Sequence, residues 1–132
     1  MERRLLILDG EKFSDLDGFY REIGRLLGGD GEEGHNLDAL TDLLYGGFGV
    51  HAPGEPIRLI WKKARKSRRE LGYAAAAREY RRRLERAHPS NRDSLEKRLA
   101  DAERGVGPTL FDELVGVIGD CAAEYDCELV LE

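Results

Sequence analysis

Apolar and polar positions along the chain alternate between two rhythms, and the change of rhythm marks the elements. Leu5-Leu6-Ile7-Leu8 is an unbroken apolar run closed by Asp9-Gly10. It predicts a first strand over residues 3–8, covered on both faces, because half-covered strands alternate instead. Leu16, Phe19, Tyr20, Ile23, Leu26 and Leu27 then recur at helical spacing. That stripe predicts a helix capped by Ser14, with Asp17 in a capping-box position and Gly28-Gly29 as its stop. A second, shorter helix is predicted where Leu37, Leu40 and Leu44 repeat at three and four residues. Asn36 can accept an orphan N–H at its start, and Gly46-Gly47 can supply the left-handed turn at its end. Asp38 and Asp42, four apart, share one face of it.

Beyond the loop at residues 48–56, Ile57 to Trp61 reads as a second strand and Lys62 to Leu71 as a short helix. Tyr73 to Ala87 is rich in Ala and Arg, with Tyr73, Ala77, Tyr80, Leu84 and Ala87 as a narrow stripe. His88-Pro89-Ser90-Asn91 breaks it, and Arg92 to Arg104 predicts a further helix striped by Leu95, Leu99 and Ala102. Two narrow stripes around a short turn predict an antiparallel helical hairpin. After a linker at residues 105–108, Thr109 can cap a last helix with Asp112 as its capping-box partner. Leu110, Leu114, Val117, Ile118, Cys121 and Tyr125 form its buried face, with Asp112, Glu113, Asp120 and Glu124 opposite. Leu129-Val130-Leu131, within Cys127–Glu132, predicts the final strand. This order predicts one α/β domain: a small three-stranded parallel sheet covered by helices, with a basic helical hairpin at about residues 72–106.

Charge sharpens the picture. The 132 residues carry a net charge of −5, but it is unevenly spread. Residues 1–56 hold a net −7, residues 57–104 a net +9, and residues 105–132 a net −7. Two acidic ends flank a basic middle, so the ends suit a basic partner. The early apolar run is too short for a leader core or a membrane span, which points to a cytoplasmic protein without membrane association. Cys121 and Cys127 then read as buried thiols rather than a disulfide.

Little in the sequence points to catalysis or a cofactor. The acidic loop Gly28 to Gly34 would repel a phosphate. As a calcium loop starting at Asp30 it would need Glu at its twelfth position, where Thr41 stands. His35, His51 and His88 are scattered, and no second His falls four residues from His35 to build a metal site. The serines sit in caps or basic helices, without the context of an activated nucleophile. No catalytic residue, metal ligand or cofactor is assigned.

The stretch Gly34-His35-Asn36-Leu37-Asp38-Ala39-Leu40-Thr41-Asp42 resembles the signature of the barstar family, intracellular protein inhibitors of small secreted bacterial ribonucleases. Ile57–Trp61 and the short helix after it match the family's middle strand and its successor, so the resemblance covers about residues 3–66 and 108–132. It implies the same small parallel sheet. It also implies an inhibitor that is no enzyme itself, whose acidic helix and preceding loop fill a nuclease active site. Carboxylates would there satisfy cations meant for RNA phosphates. Carried over by position, Asp42 is the central anion with Asp38 beside it. Asn36 both caps the helix and contacts the partner, and Gly34 lets the loop approach closely, next to His35. Three positions depart from the family. Thr41 replaces its usual aromatic residue, and Glu32 or Glu33 its loop tyrosine. The acid of the last helix falls near Cys121, with Asp120 adjacent but turned about 100° around the axis. Against the family's length, residues 72–106 read as an insertion. The implied partner is a small basic ribonuclease or a related nuclease toxin, which would make the chain an immunity protein.

A rival reading comes from the basic middle. Arg78, Arg81, Arg82, Arg83 and Arg86 cluster on one predicted helix and could hold nucleic-acid phosphates. Tyr73 and Tyr80 are the only interleaved aromatics, and both also serve the apolar stripe. A third arrangement would set one molecule's basic hairpin on another's acidic face.

Overall fold

In the computed structural model of the protein, residues 3–28, 36–46 and 52–132 are described, Tyr125 by its backbone alone. Three strands form one parallel sheet: β1 (Arg4–Asp9), β2 (Ile57–Lys62) and β3 (Cys127–Leu131), in the order β1-β2-β3. The register pairs Leu6 with Leu59 and Leu59 with Leu129. Two residues further along it pairs Leu8 with Trp61 and Trp61 with Leu131. Helices α1 (Leu16–Leu26) and α2 (Leu37–Tyr45) connect β1 to β2. The return to β3 runs through α3 (Ala64–Glu70), α4 (Tyr73–Leu84), α5 (Pro89–Glu103) and α6 (Leu110–Tyr125).

The expectation for β1 needs correction. Leu6 and Leu8 are buried, but Leu5 is 56% and Ile7 44% exposed. The same alternation runs through β2, where Ile57, Leu59 and Trp61 are buried while Arg58 and Lys62 are exposed. The helical layer therefore covers one face of the sheet. The apolar run of β1 resembled a doubly covered strand only because its open face is aliphatic too.

Trp61 is the centre of the covered side. It is fully buried, its ring stacks on Phe19 at 5.3 Å between centroids, and Phe111 and Phe13 lie at 5.0 and 6.1 Å. Its indole N–H donates to Ser67 Oγ at 3.0 Å, so the one polar atom of the ring is satisfied by α3. Lys66 ties the same helix to the turn after β1. Its Nζ donates to the carbonyls of Gly10 and Phe13 at 3.0 and 2.8 Å and meets Glu70 at 2.8 Å. A Cβ at Gly10 would stand 2.6 Å from the Lys62 carbonyl oxygen. No side chain fits between that turn and the start of α3.

The caps settle several boundaries. The cap of α1 is Asp15, whose side chain accepts from Gly18 N at 2.8 Å, and not Ser14. Thr109 and Asp112 form the expected reciprocal capping box at α6. Pro89, expected to interrupt, opens α5 as its first residue, where a missing N–H costs nothing. The preceding helix ends at Leu84 rather than Ala87.

Helices α4 and α5 form an antiparallel pair: Arg92 reaches the Leu84 carbonyl at 3.1 Å where the hairpin turns, Arg81 reaches Glu103 at 3.4 Å, and at the open end Tyr73 donates to the Gly107 carbonyl at 2.7 Å. The buried face of α4 differs from the predicted stripe. Ala75, Ala76, Ala77 and Tyr80 are buried, whereas Tyr73 and Leu84 are only half-covered. Small side chains let α4 lie close on the core, a role that a stripe of large residues does not reveal. Glu79, 6% exposed, is held by Arg82 at 2.8 Å and Arg83 at 2.9 Å. Arg83 also reaches Glu113 of α6 at 2.8 Å, and Tyr80 donates to the same carboxylate at 3.1 Å. Glu113, expected on the solvent face of α6, is thus half-buried in a charged bridge between helices. Phe111 joins the buried face of α6, outside the stripe predicted for it. Among the described residues no helix is long and apolar enough to cross a membrane.

Replacing Trp61 with Ala should cost about 3–5 kcal/mol, the usual range for emptying a buried aromatic site. Urea denaturation followed by circular dichroism measures it. Burial pushes the Cys127 thiol up to about 11 and the Tyr20 phenol up to about 12, so the fold favours both neutral forms. Their stabilisation is complete below the ordinary thiol value near 9 and is lost as pH rises toward 11 and 12. The urea midpoint should therefore fall steadily above pH 9, and an unchanged midpoint up to pH 11 would contradict this.

Candidate functional site

Helix α2 begins where Asn36 Oδ1 accepts the Ala39 N–H at 2.8 Å. It ends at Gly46, whose φ of 108° only glycine takes up readily and whose N–H donates to the Asp42 carbonyl at 3.3 Å. Leu40, Leu43 and Leu44 are buried against the core, and Leu37 is partly so. With the helix seated on these residues, Asp38 and Asp42 point outward, and both are exposed. Among the described residues no ion pair reaches either carboxylate. Their charges are held at a fixed spacing and stay available to a partner. Asp38 lies in the first turn, where the helix dipole favours an anion.

Thr41 sits between them in sequence but turns toward α6. Its hydroxyl donates to the Leu37 carbonyl at 3.0 Å and lies close to the Cys121 thiol. Two of the positions that depart from the family pattern therefore touch one another. Burial pushes the Cys121 thiol up, the Thr41 hydroxyl opposes this, and Glu124 and Asp120 add to the rise. Asp120 is exposed, next to Cys121, so the α2–α6 seam brings its charge into the neighbourhood of Thr41. Asn36, Asp38, Thr41 and Asp42 lie on α2 and its cap, while Asp120 lies on α6 beside Cys121. Gly34, His35 and Glu33 lie outside the described residues.

The arginines of the rival reading are arranged differently. Arg82 is spent on Glu79, with 2.8 and 2.9 Å contacts, and Arg81 leans on Glu103. Arg78 is exposed beside a shallow cleft of about 210 Å³ that also contains Asp15, Asp17 and Glu79. Arg86 follows the end of α4, at the tip of the hairpin. The pairing of Glu113 spans 30 and 33 residues and leaves no signal in a helical stripe, whereas Glu79 meets Arg82 and Arg83 at the local i,i+3 and i,i+4 spacings, which an apolar stripe does not register.

The comparison with known families places the chain. The family described as "Barstar (barnase inhibitor)" matches residues 3–97, well over half of the length. The chain belongs to the barstar family. The match runs through β1, α1, α2, β2, α3, α4 and most of α5. No curated protein matches the chain.

Asn36→Ala should lower stability by about 1 kcal/mol through loss of the cap. A urea titration checks this, and amide exchange should quicken first at Ala39, whose N–H loses its acceptor.

Proposed function

We propose that this barstar-family chain is an intracellular inhibitor of a ribonuclease or nuclease toxin, and that α2 enters the enzyme's active site. The observation that carries this reading is the exposure of Asp38 and Asp42 on a capped, core-anchored helix, with no counter-ion among the described residues. A nuclease that binds RNA presents Arg and Lys to phosphates, and carboxylates satisfy those donors through charge-assisted hydrogen bonds. Because the helix is formed before the encounter, little entropy is lost in ordering it. The charge also steers a basic enzyme toward the correct face. Asp42 is the central anion, Asp38 flanks it, and Asn36, Thr41 and Asp120 border the contact. Gly34, His35 and Glu33 would extend it along the preceding loop. The inhibitor has no catalytic role of its own; α4 and most of α5, read from the sequence as part of an insertion, fall within the family match.

The small hydroxyl of Thr41 and the thiol of Cys121 make the α6 side of this surface less acidic and less bulky than the family pattern. The nuclease it fits should therefore carry its cations opposite α2 rather than opposite that seam. The rival reading, nucleic-acid binding through Arg78, Arg81, Arg82 and Arg86, is less favoured because Glu79 and Glu103 already engage two of the four.

Titration against a panel of small basic ribonucleases, with RNA cleavage as the readout, tests the proposal. Inhibition of at least one is expected. Asp42→Ala should weaken it by about 2 kcal/mol or more, a thirtyfold rise in the inhibition constant. Failure to inhibit any enzyme of the panel, or full potency in the Asp42→Ala protein, would count against it.

A further inference from the structure

The densest positive charge of the molecule lies on neither α2 nor the hairpin. Residues 62–69 read Lys-Lys-Ala-Arg-Lys-Ser-Arg-Arg, six cations in eight residues with no acid among them. Lys66 is occupied internally by Gly10, Phe13 and Glu70. Lys62, Lys63, Arg65, Arg68 and Arg69 are exposed. Among the described residues no ion pair reaches any of the five, and Arg68 is held over the Phe111 ring at 5.0 Å. The fold has reasons to spread them outward. Ala64, Ser67 and Leu71 are buried, which fixes the inner face of α3 and leaves Arg65, Arg68 and Arg69 on the outer one. Lys63 takes a left-handed conformation, φ 58°, at the sharp turn from strand to helix. Glu70 is taken by Lys66, and Glu132, whose N–H donates to the Trp61 carbonyl at 2.8 Å, is the acid that β3 brings to this end of the sheet.

We propose that this face of α3 is a second binding surface, independent of the acidic helix, for the phosphodiester backbone of a nucleic acid. Arginine predominates on it, and a guanidinium matches a phosphate with two parallel hydrogen bonds. A bilayer is a poorer occupant, because the apolar residues of α3 point into the core and none is exposed beside the cations to enter the acyl region. The surface is built on the end of β2 and on α3, with no residue of α2 in it. The end of α2 meets the start of β2, where Gly54 N–H donates to the Tyr45 carbonyl at 2.8 Å, whereas Lys62 closes the far end of that strand. The extended chain of β2 separates the two ends by about 17 Å. An RNA strand on α3 and a nuclease on α2 therefore do not compete for the same atoms.

The test is fluorescence anisotropy of short labelled single-stranded RNA, duplex RNA and single-stranded DNA with the full chain, over a series of salt concentrations. Salt-sensitive binding to at least one is expected, and the three probes separate the RNA and DNA sources. In Lys62→Gln/Arg65→Gln/Arg69→Gln, which keeps helix propensity, affinity should fall about tenfold or more. On a single strand each neutralised phosphate steepens the slope of log affinity on log salt by about 0.7, so the triple variant should flatten that slope by roughly 2. Arg78→Gln/Arg86→Gln should leave affinity unchanged, and so should Asp42→Ala, which separates this result from the inhibitor reading. Absence of binding at low salt would overturn the proposal. So would an equal loss in the hairpin variant, or binding confined to phosphatidylserine vesicles. Circular dichroism of each variant confirms that the fold is intact.

Discussion

Burial of Leu40, Leu43 and Leu44 fixes the direction in which α2 presents everything else it carries. A helix turns about 100° per residue, so seating those side chains leaves Asp38 and Asp42 no inward option. The cap at Asn36 and the glycine at 46 limit the helix to a little over two turns, and the charges are confined with it. The remainder of the fold can be understood as the support for that seat. The Trp61 cluster holds the sheet against α1 and α6, and α6 in turn supplies the wall against which Thr41 rests. The proposed inhibitor role needs a rigid acidic surface. Here rigidity comes from apolar packing beneath it and not from ion pairs around it.

The distribution of charge follows from the same division. Acids that must be buried are neutralised in place, as Glu79 is by Arg82 and Arg83. Breaking such a buried pair is costly because it leaves a charge stranded, so these residues tie α4 to α6 rather than serve a partner. Among the described residues, the acids of α2 and the exposed cations of α3 take part in no ion pair and sit on separate elements. Keeping them apart avoids the self-neutralisation that would erase both surfaces, and it limits the repulsion within each to what salt can screen.

Much of this was legible in the sequence, for identifiable reasons. The cap and stop of α2, the capping box of α6 and the three strands rest on local chemistry, which survives folding unchanged. The choice of Asp15 over Ser14 was not, because neighbouring residues offer equivalent oxygens and only the approach of Gly18 decides between them. The open face of the sheet was hidden because Leu5 and Ile7 are as apolar as the residues beneath the helices. The close seat of α4 was missed because alanines carry little weight in a stripe, and Glu113 because its partners are 30 and 33 residues away. On α2, Asp38 and Asp42 could be placed from spacing alone. The contact of Thr41 with Cys121 needed the packing of two helices distant in sequence.

That contact has an evolutionary consequence. A hydroxyl on α2 and a thiol on α6 are small enough for the two backbones to settle against each other, and each fills the room the other leaves. A relative acquiring a ring at position 41 would need that space, and the residue at 121 would have to withdraw or lengthen toward solvent. Positions 41 and 121 form one unit of variation: divergence at either should travel with the other, and a lineage that changes its target enzyme should rewrite them together.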